Sequence, residues 1–119
     1  MNKYYPHLFE PFTIKKTTFR NHIFSAPNMM CHMDANGFPP DYMIAYYAEK
    51  AKGGAAVVTV GDTPVDHEHA PSNPRSFNLS YEALPFISEL AMAIKSHGAL
   101  ASLELNHGGL YNPPEAMGG

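Results

Sequence analysis

The residues able to do chemistry fall in three places. Ser25-Ala-Pro-Asn-Met-Met-Cys31 follows a short apolar run and carries the chain's single cysteine. Asp66-His-Glu-His69 places two imidazoles two residues apart. Glu104 interrupts an apolar run and is followed by His107-Gly-Gly109. Each admits a chemical and a structural reading. A lone thiol such as Cys31 serves redox or ligand contact when exposed and acts as a small hydrophobe when buried. His67 and His69, with His107 from a following strand end, have the make-up of a metal site in a barrel hydrolase. In their favoured reading they are polar residues of a solvated loop. A carboxylate inside a strand, as at Glu104, must face a site or find a partner, because an unpaired buried charge is costly. The two glycines after His107 permit close approach of backbone to a ligand.

The elements that must position these groups follow from periodicity and punctuation. Phe12-Thr-Ile14 and Thr17-Thr-Phe19 are β-prone and flank Lys15-Lys16, which predicts a hairpin. His22 to Ser25 reads as the first core strand, ended by Pro27. Pro39-Pro40 and Asp41 open a helix over 41–52. Its apolar positions Met43, Ile44, Tyr47, Ala48 and Ala51 recur at helical spacing, and Gly53-Gly54 closes it. Tyr46 and Tyr47 read as packing residues. Ala55 to Val60 is continuously apolar, as a fully covered strand should be. A connection from Gly61 to Ser80 leads to a second helix over 81–97, with Ser80 as its N-cap and Pro85 in its first turn. Ala99 to Leu105 is a third strand. A hairpin followed by β-α-β-α-β is an α/β pattern, and in such folds the loops after strands carry the chemistry.

Composition narrows the class. The chain has 119 residues, 45% hydrophobic and 16% charged, enough for a packed core rather than disorder. Net charge is -3, and the eight lysines and arginines form no stripe, so nucleic-acid or membrane-surface binding is not expected. One cysteine precludes an internal disulfide and fits a reducing, cytoplasmic compartment. No apolar stretch suggests a signal peptide or approaches the roughly 18 to 20 residues of a membrane span. GxGxxG, P-loop, CxxC and nucleophile-elbow motifs are absent. Three strands and two helices are few for an independent core, whereas a (β/α)8 barrel needs about 250 residues. The 119 residues are therefore expected to be the N-terminal part of something larger.

Four stretches occur in the order and spacing of one family. They are Leu8-Phe-Glu-Pro-Phe12, Phe19-Arg-Asn-His-Ile-Phe-Ser-Ala-Pro27, Tyr46-Tyr-Ala-Glu-Lys-Ala-Lys-Gly-Gly54 and Leu103-Glu-Leu-Asn-His-Gly-Gly109. In combination they resemble the Old Yellow Enzyme family, nearest to bacterial NADH:flavin oxidoreductases such as 2,4-dienoyl-CoA reductases. The resemblance implies the N-terminal part of a TIM barrel, preceded by a β-hairpin, with FMN at the C-terminal ends of the strands. It implies hydride transfer from NADH or NADPH through the flavin to the β-carbon of an activated alkene, an enone or enoate. Carried over by position, Ala26, Pro27, Asn28 and Met29 match the strand segment along the flavin. Gly61 and Asp62 match the next strand end, and Glu104 matches a glutamine at the pyrimidine edge. Cys31 and His107 become candidates for the substrate pocket, with no metal ligand required.

The chain departs from the family pattern at four points. Asn28 stands where Met is usual, and Met29 where Thr or Cys commonly tunes the flavin. Glu104 replaces an amide with an acceptor-only group, and Leu110 follows His107-Gly-Gly where Arg is usual. The family's substrate anchors, proton donor and phosphate loops are expected beyond residue 119. A complete cycle would need the rest of the barrel or a complementing chain, and an iron–sulfur cluster would belong to a longer parent. A fragment alone is expected to expose strand edges at Val57 to Val60 and Leu103 to Leu105 and to form oligomers.

Overall fold

The computed structural model describes residues 4–28, 30, 32–71, 73 and 75–109. Two short strands, β1 (Phe12–Ile14) and β2 (Thr17–Phe19), form the expected antiparallel hairpin. The Thr13 and Thr18 hydroxyls join across it at 2.9 Å. Phe12 stacks on Phe19 at 4.8 Å and on His22 at 4.2 Å, and Phe19 stacks on Phe24 at 5.2 Å. The hairpin thereby closes over the start of β3 (Phe24–Asn28).

Strands β3, β4 (Val57–Pro64) and β5 (Leu100–Asn106) form one parallel sheet in that order. Helices α1 (Asp41–Lys52) and α2 (Leu84–Ser96) are the crossovers. The core lies between helices and sheet. Met43, Ile44, Tyr47 and Ala51 of α1 meet Val58 and Val60 of β4, with Leu90 and Ile94 of α2. Each large side chain removed from water in this layer contributes about 1.5–3 kcal/mol.

Arg20 holds the opposite, N-terminal end of the sheet. Its guanidinium donates to the Ala51, Ala55 and His97 carbonyls, and so ties the C-terminal ends of both helices together. Cations at helix C-termini also complement the helix dipole. Beside it, Asn21 donates to the Gly54 carbonyl at 2.7 Å and accepts from the Ile23 amide at 2.9 Å. Part of the Phe19-to-Pro27 stretch is therefore a structural clamp, at the end of the strands away from the site.

Several boundaries differ from the sequence reading. Pro27 does not end β3, which runs on to Asn28. Among the described residues β3 is an edge strand, where a missing N–H is tolerated, and the pairing shifts by one residue between Ser25 and Asn28. β4 begins at Val57 and continues through Gly61-Asp-Thr-Pro64, so the connection shrinks to 65–80. A 3-10 turn, Tyr81–Ala83, precedes α2, and the Ser80 side chain does not cap it. Val57 to Val60 are not an exposed edge: β4 is central and paired on both sides, and Val58 is fully buried. Among the described residues the sheet edges are β3 and β5, and on β5 Leu105 is 59% exposed. Among the described residues, no helix is long and apolar enough to cross a membrane.

Candidate functional site

The C-terminal ends of the three strands converge on Gly61. A Cβ placed there would lie 2.7 Å from the Pro27 Cβ and 2.5 Å from the Glu104 Oε2. Pro27 of β3, Gly61 of β4 and Glu104 of β5 thus share the inner face, away from the helices. Ala26, Pro27 and Asn28 are exposed there, whereas Gly61 and Asp62 are buried. Glu104 is exposed and has no ion-pair partner among the described residues. Asp62 accepts a hydrogen bond from the Asn73 side chain at 3.2 Å.

Helix α1 grips these strand ends from behind. The Asn28 side chain donates to the Tyr46 hydroxyl at 2.9 Å. The Tyr47 hydroxyl lies 3.1 Å from the carbonyl oxygens of both Asn28 and Gly61. Burial pushes the Tyr47 phenol up to about 12. Lys50 sits over the Tyr46 ring at 4.4 Å and holds the Tyr46 phenol below its usual value. Both rings pack as their spacing predicts, Tyr47 in the core and Tyr46 against it, and their hydroxyls add the hold on the strand ends. The available signal was a hydroxyl on the buried stripe, since a buried phenol needs a hydrogen-bond partner.

The three histidines do not assemble. The His69 amide and ring both bond to Asp66, at 3.0 and 3.2 Å, closing a turn. The His69 amide is the main reason that the Asp66 carboxyl titrates below its usual value. His67 packs instead beside Gly37 and Asn78, against the loop that follows β3. His107 accepts from the Gly109 amide at 3.1 Å. Among the described residues, no three His, Cys, Asp or Glu side chains are grouped to hold a metal. Two imidazoles two residues apart share a strand face, but here they lie on a turn, which points them apart. Met29, Cys31 and Leu110 lie outside the described residues.

The model of NADH:flavin oxidoreductases and NADH oxidases matches residues 7–117. The chain belongs to the NADH:flavin oxidoreductase / NADH oxidase family. It is 32% identical over 119 residues to the probable NADH-dependent flavin oxidoreductase YqiG of Bacillus subtilis, covering 98% of this chain and 32% of that protein. Among solved structures, 2-naphthoyl-CoA reductase in complex with 2-naphthoyl-CoA superposes on 96% of this chain and 17% of its own. The TM-score is 0.87 at 27% identity. The old yellow enzyme from Trypanosoma cruzi superposes on 94% of this chain and 30% of its own, with a TM-score of 0.82 at 22% identity. The hairpin and the β3-α1-β4-α2-β5 run are thus the N-terminal part of a TIM (β/α)8 barrel. This family member spans 15% to 32% of the length of the curated relatives it matches.

Proposed function

We propose that this chain forms one wall of an FMN site in an NAD(P)H-dependent oxidoreductase that reduces an activated C=C bond. The supporting observation is the convergence of Pro27, Gly61 and Glu104 at the C-terminal ends of three parallel strands, the end where barrel enzymes place their chemistry. The residues suit a flavin ring. Ala26, Pro27 and Gly61 present little side-chain bulk, and Gly61 has no room for even a methyl group. Glu104 offers two acceptor oxygens, the complement of the imide N–H on the pyrimidine edge.

FMN, when bound, supplies hydride transfer from NADH or NADPH to the β-carbon of an enone or enoate. Ala26, Pro27, Asn28 and Met29 would lie along the ring. Gly61 and Asp62 would border it, and Glu104 would accept from its imide. As a carboxylate, Glu104 has no donor for the neighbouring carbonyl oxygen and repels negative charge there, so it favours the oxidised cofactor. Cys31 and His107 would face the mouth of the substrate pocket. The remaining catalytic groups belong to the rest of the barrel, in the same chain or in a complementing one.

The test is anaerobic addition of NADH to the intact, FMN-loaded protein, followed by 2-cyclohexenone. The expected result is bleaching of the flavin band, then its return with formation of cyclohexanone. A flavin band that NADH leaves unchanged, with NADPH equally inert, would refute the reductase reading.

A further inference from the structure

Tyr47 is fully buried in the middle of α1, and its ring belongs to the core between the helices and the sheet. Its hydroxyl meets the two strands where their pairing breaks. From Ser25 to Asn28, three steps along β3 oppose two along β4, from Val58 to Val60. From Val60 to Thr63, three steps along β4 oppose two along β5, from Leu103 to Leu105. An extra residue of this kind leaves backbone groups outside the ladder, and a buried carbonyl without a donor is costly. The Asn28 and Gly61 carbonyls lie at these two irregularities, and the Tyr47 oxygen is 3.1 Å from each. A phenol has one proton, so it donates to one carbonyl at a time or is shared between them.

We infer that Tyr47 is a positioning residue, whose hydroxyl fixes the ends of β3 and β4 and thereby the spacing of Pro27, Gly61 and Glu104. The inference rests on the flavin reading of that wall. Tyr47 acts through Asn28 and Gly61. Tyr46 completes the grip, because it accepts from the Asn28 side chain while Tyr47 holds the Asn28 carbonyl. Lys50 lies over both rings, at 4.4 and 5.4 Å, and restrains them together. A phenylalanine would fill the same core volume and lack the hold on the strand ends.

The experiment compares Tyr47→Phe with Met43→Ala in the intact protein. Met43 is 1% exposed on the same helix stripe, so Met43→Ala controls for lost stability. Tyr47→Phe is expected to weaken FMN binding roughly tenfold, the equivalent of one buried hydrogen bond. It is also expected to shift the visible spectrum of the bound flavin and to speed amide exchange over 61–64 in the FMN-free protein. Met43→Ala should lower the unfolding midpoint without these changes. Equal FMN affinity and spectrum in Tyr47→Phe, or unchanged exchange over 61–64, would overturn the positioning role. An unsubstituted protein that takes up no FMN would overturn the flavin reading, and the exchange data would then judge the strand-end role alone. If Tyr47→Phe does not fold, the Tyr47 hydroxyl proton of the unsubstituted protein decides. Slow exchange with solvent by NMR supports the role, and fast exchange overturns it.

Discussion

Replacing Gly61 with alanine tests the geometry of the wall directly. The new Cβ would meet the Glu104 Oε2 at 2.5 Å and the Pro27 Cβ at 2.7 Å. The two contacts differ in what they cost. Glu104 is exposed and ends in a flexible carboxylate, so it can rotate away cheaply. The Pro27 carbon is part of a ring fixed to the β3 backbone. Carbon atoms pack at about 3.5–4.0 Å, so the ends of β3 and β4 must part by roughly 1 Å. Overpacking of this kind costs about 1–3 kcal/mol. Against it, losing a glycine from the unfolded chain stabilises by about 0.4–1 kcal/mol. The net expectation is destabilisation of about 1–2 kcal/mol, and FMN affinity lower by up to about tenfold, since 1.4 kcal/mol is one decade. Urea unfolding of the FMN-free protein and FMN titration of the intact protein measure the two effects. Adding Pro27→Gly should restore most of the loss, and adding Glu104→Ala should not. An unchanged unfolding midpoint and affinity in Gly61→Ala would refute the reasoning. Rescue by Glu104→Ala alone would show that the carboxylate, rather than Pro27, fills the space.

Three further expectations follow from other parts of the structure. Arg20→Lys should cost about 2 kcal/mol in urea unfolding, because a single ammonium cannot serve three carbonyls at once, and should leave the flavin spectrum unchanged. Burial raises the Tyr47 phenol from 10.0 to about 12, so its stabilising contribution is intact below pH 10 and is lost as pH rises through about 12. Tyr47→Phe should accordingly flatten the alkaline limb of a stability–pH curve over that window. Glu104→Gln should raise the flavin midpoint potential or FMN affinity, measured by dye-coupled reduction and titration. No change in either would mean that Glu104 does not meet the ring as a carboxylate.

Local signals were legible where local physics decides. Pro39-Pro40, Gly53-Gly54 and the Met43, Ile44, Tyr47, Ala51 stripe bound α1 at the observed residues. The β-prone pairs around Lys15-Lys16 likewise gave both hairpin strands. Gly61-Asp-Thr-Pro64 carries turn chemistry, yet it is strand because β5 pairs with Thr63 and Pro64. Pro27 reads as a terminator, yet it lies within β3, where the pairing with β4 shifts between Ser25 and Asn28 and a bulge excuses its missing N–H. The candidate wall is legible through the family resemblance and not through local pattern. Pro27, Gly61 and Glu104 come from three strands, and one-residue shifts in pairing decide which of their neighbours face inward. His67 and His69 follow their favoured reading: they lie in the polar loop after β4, where a turn closed by Asp66 holds His69 while His67 packs beside Gly37.

The most direct measurement is FMN titration of the intact protein, followed by quenching of flavin fluorescence, with the Gly61→Ala variant in parallel. Saturable, stoichiometric quenching that weakens in Gly61→Ala is the expected result. Absence of saturable quenching in the unsubstituted protein would contradict the claim that these strand ends hold a flavin.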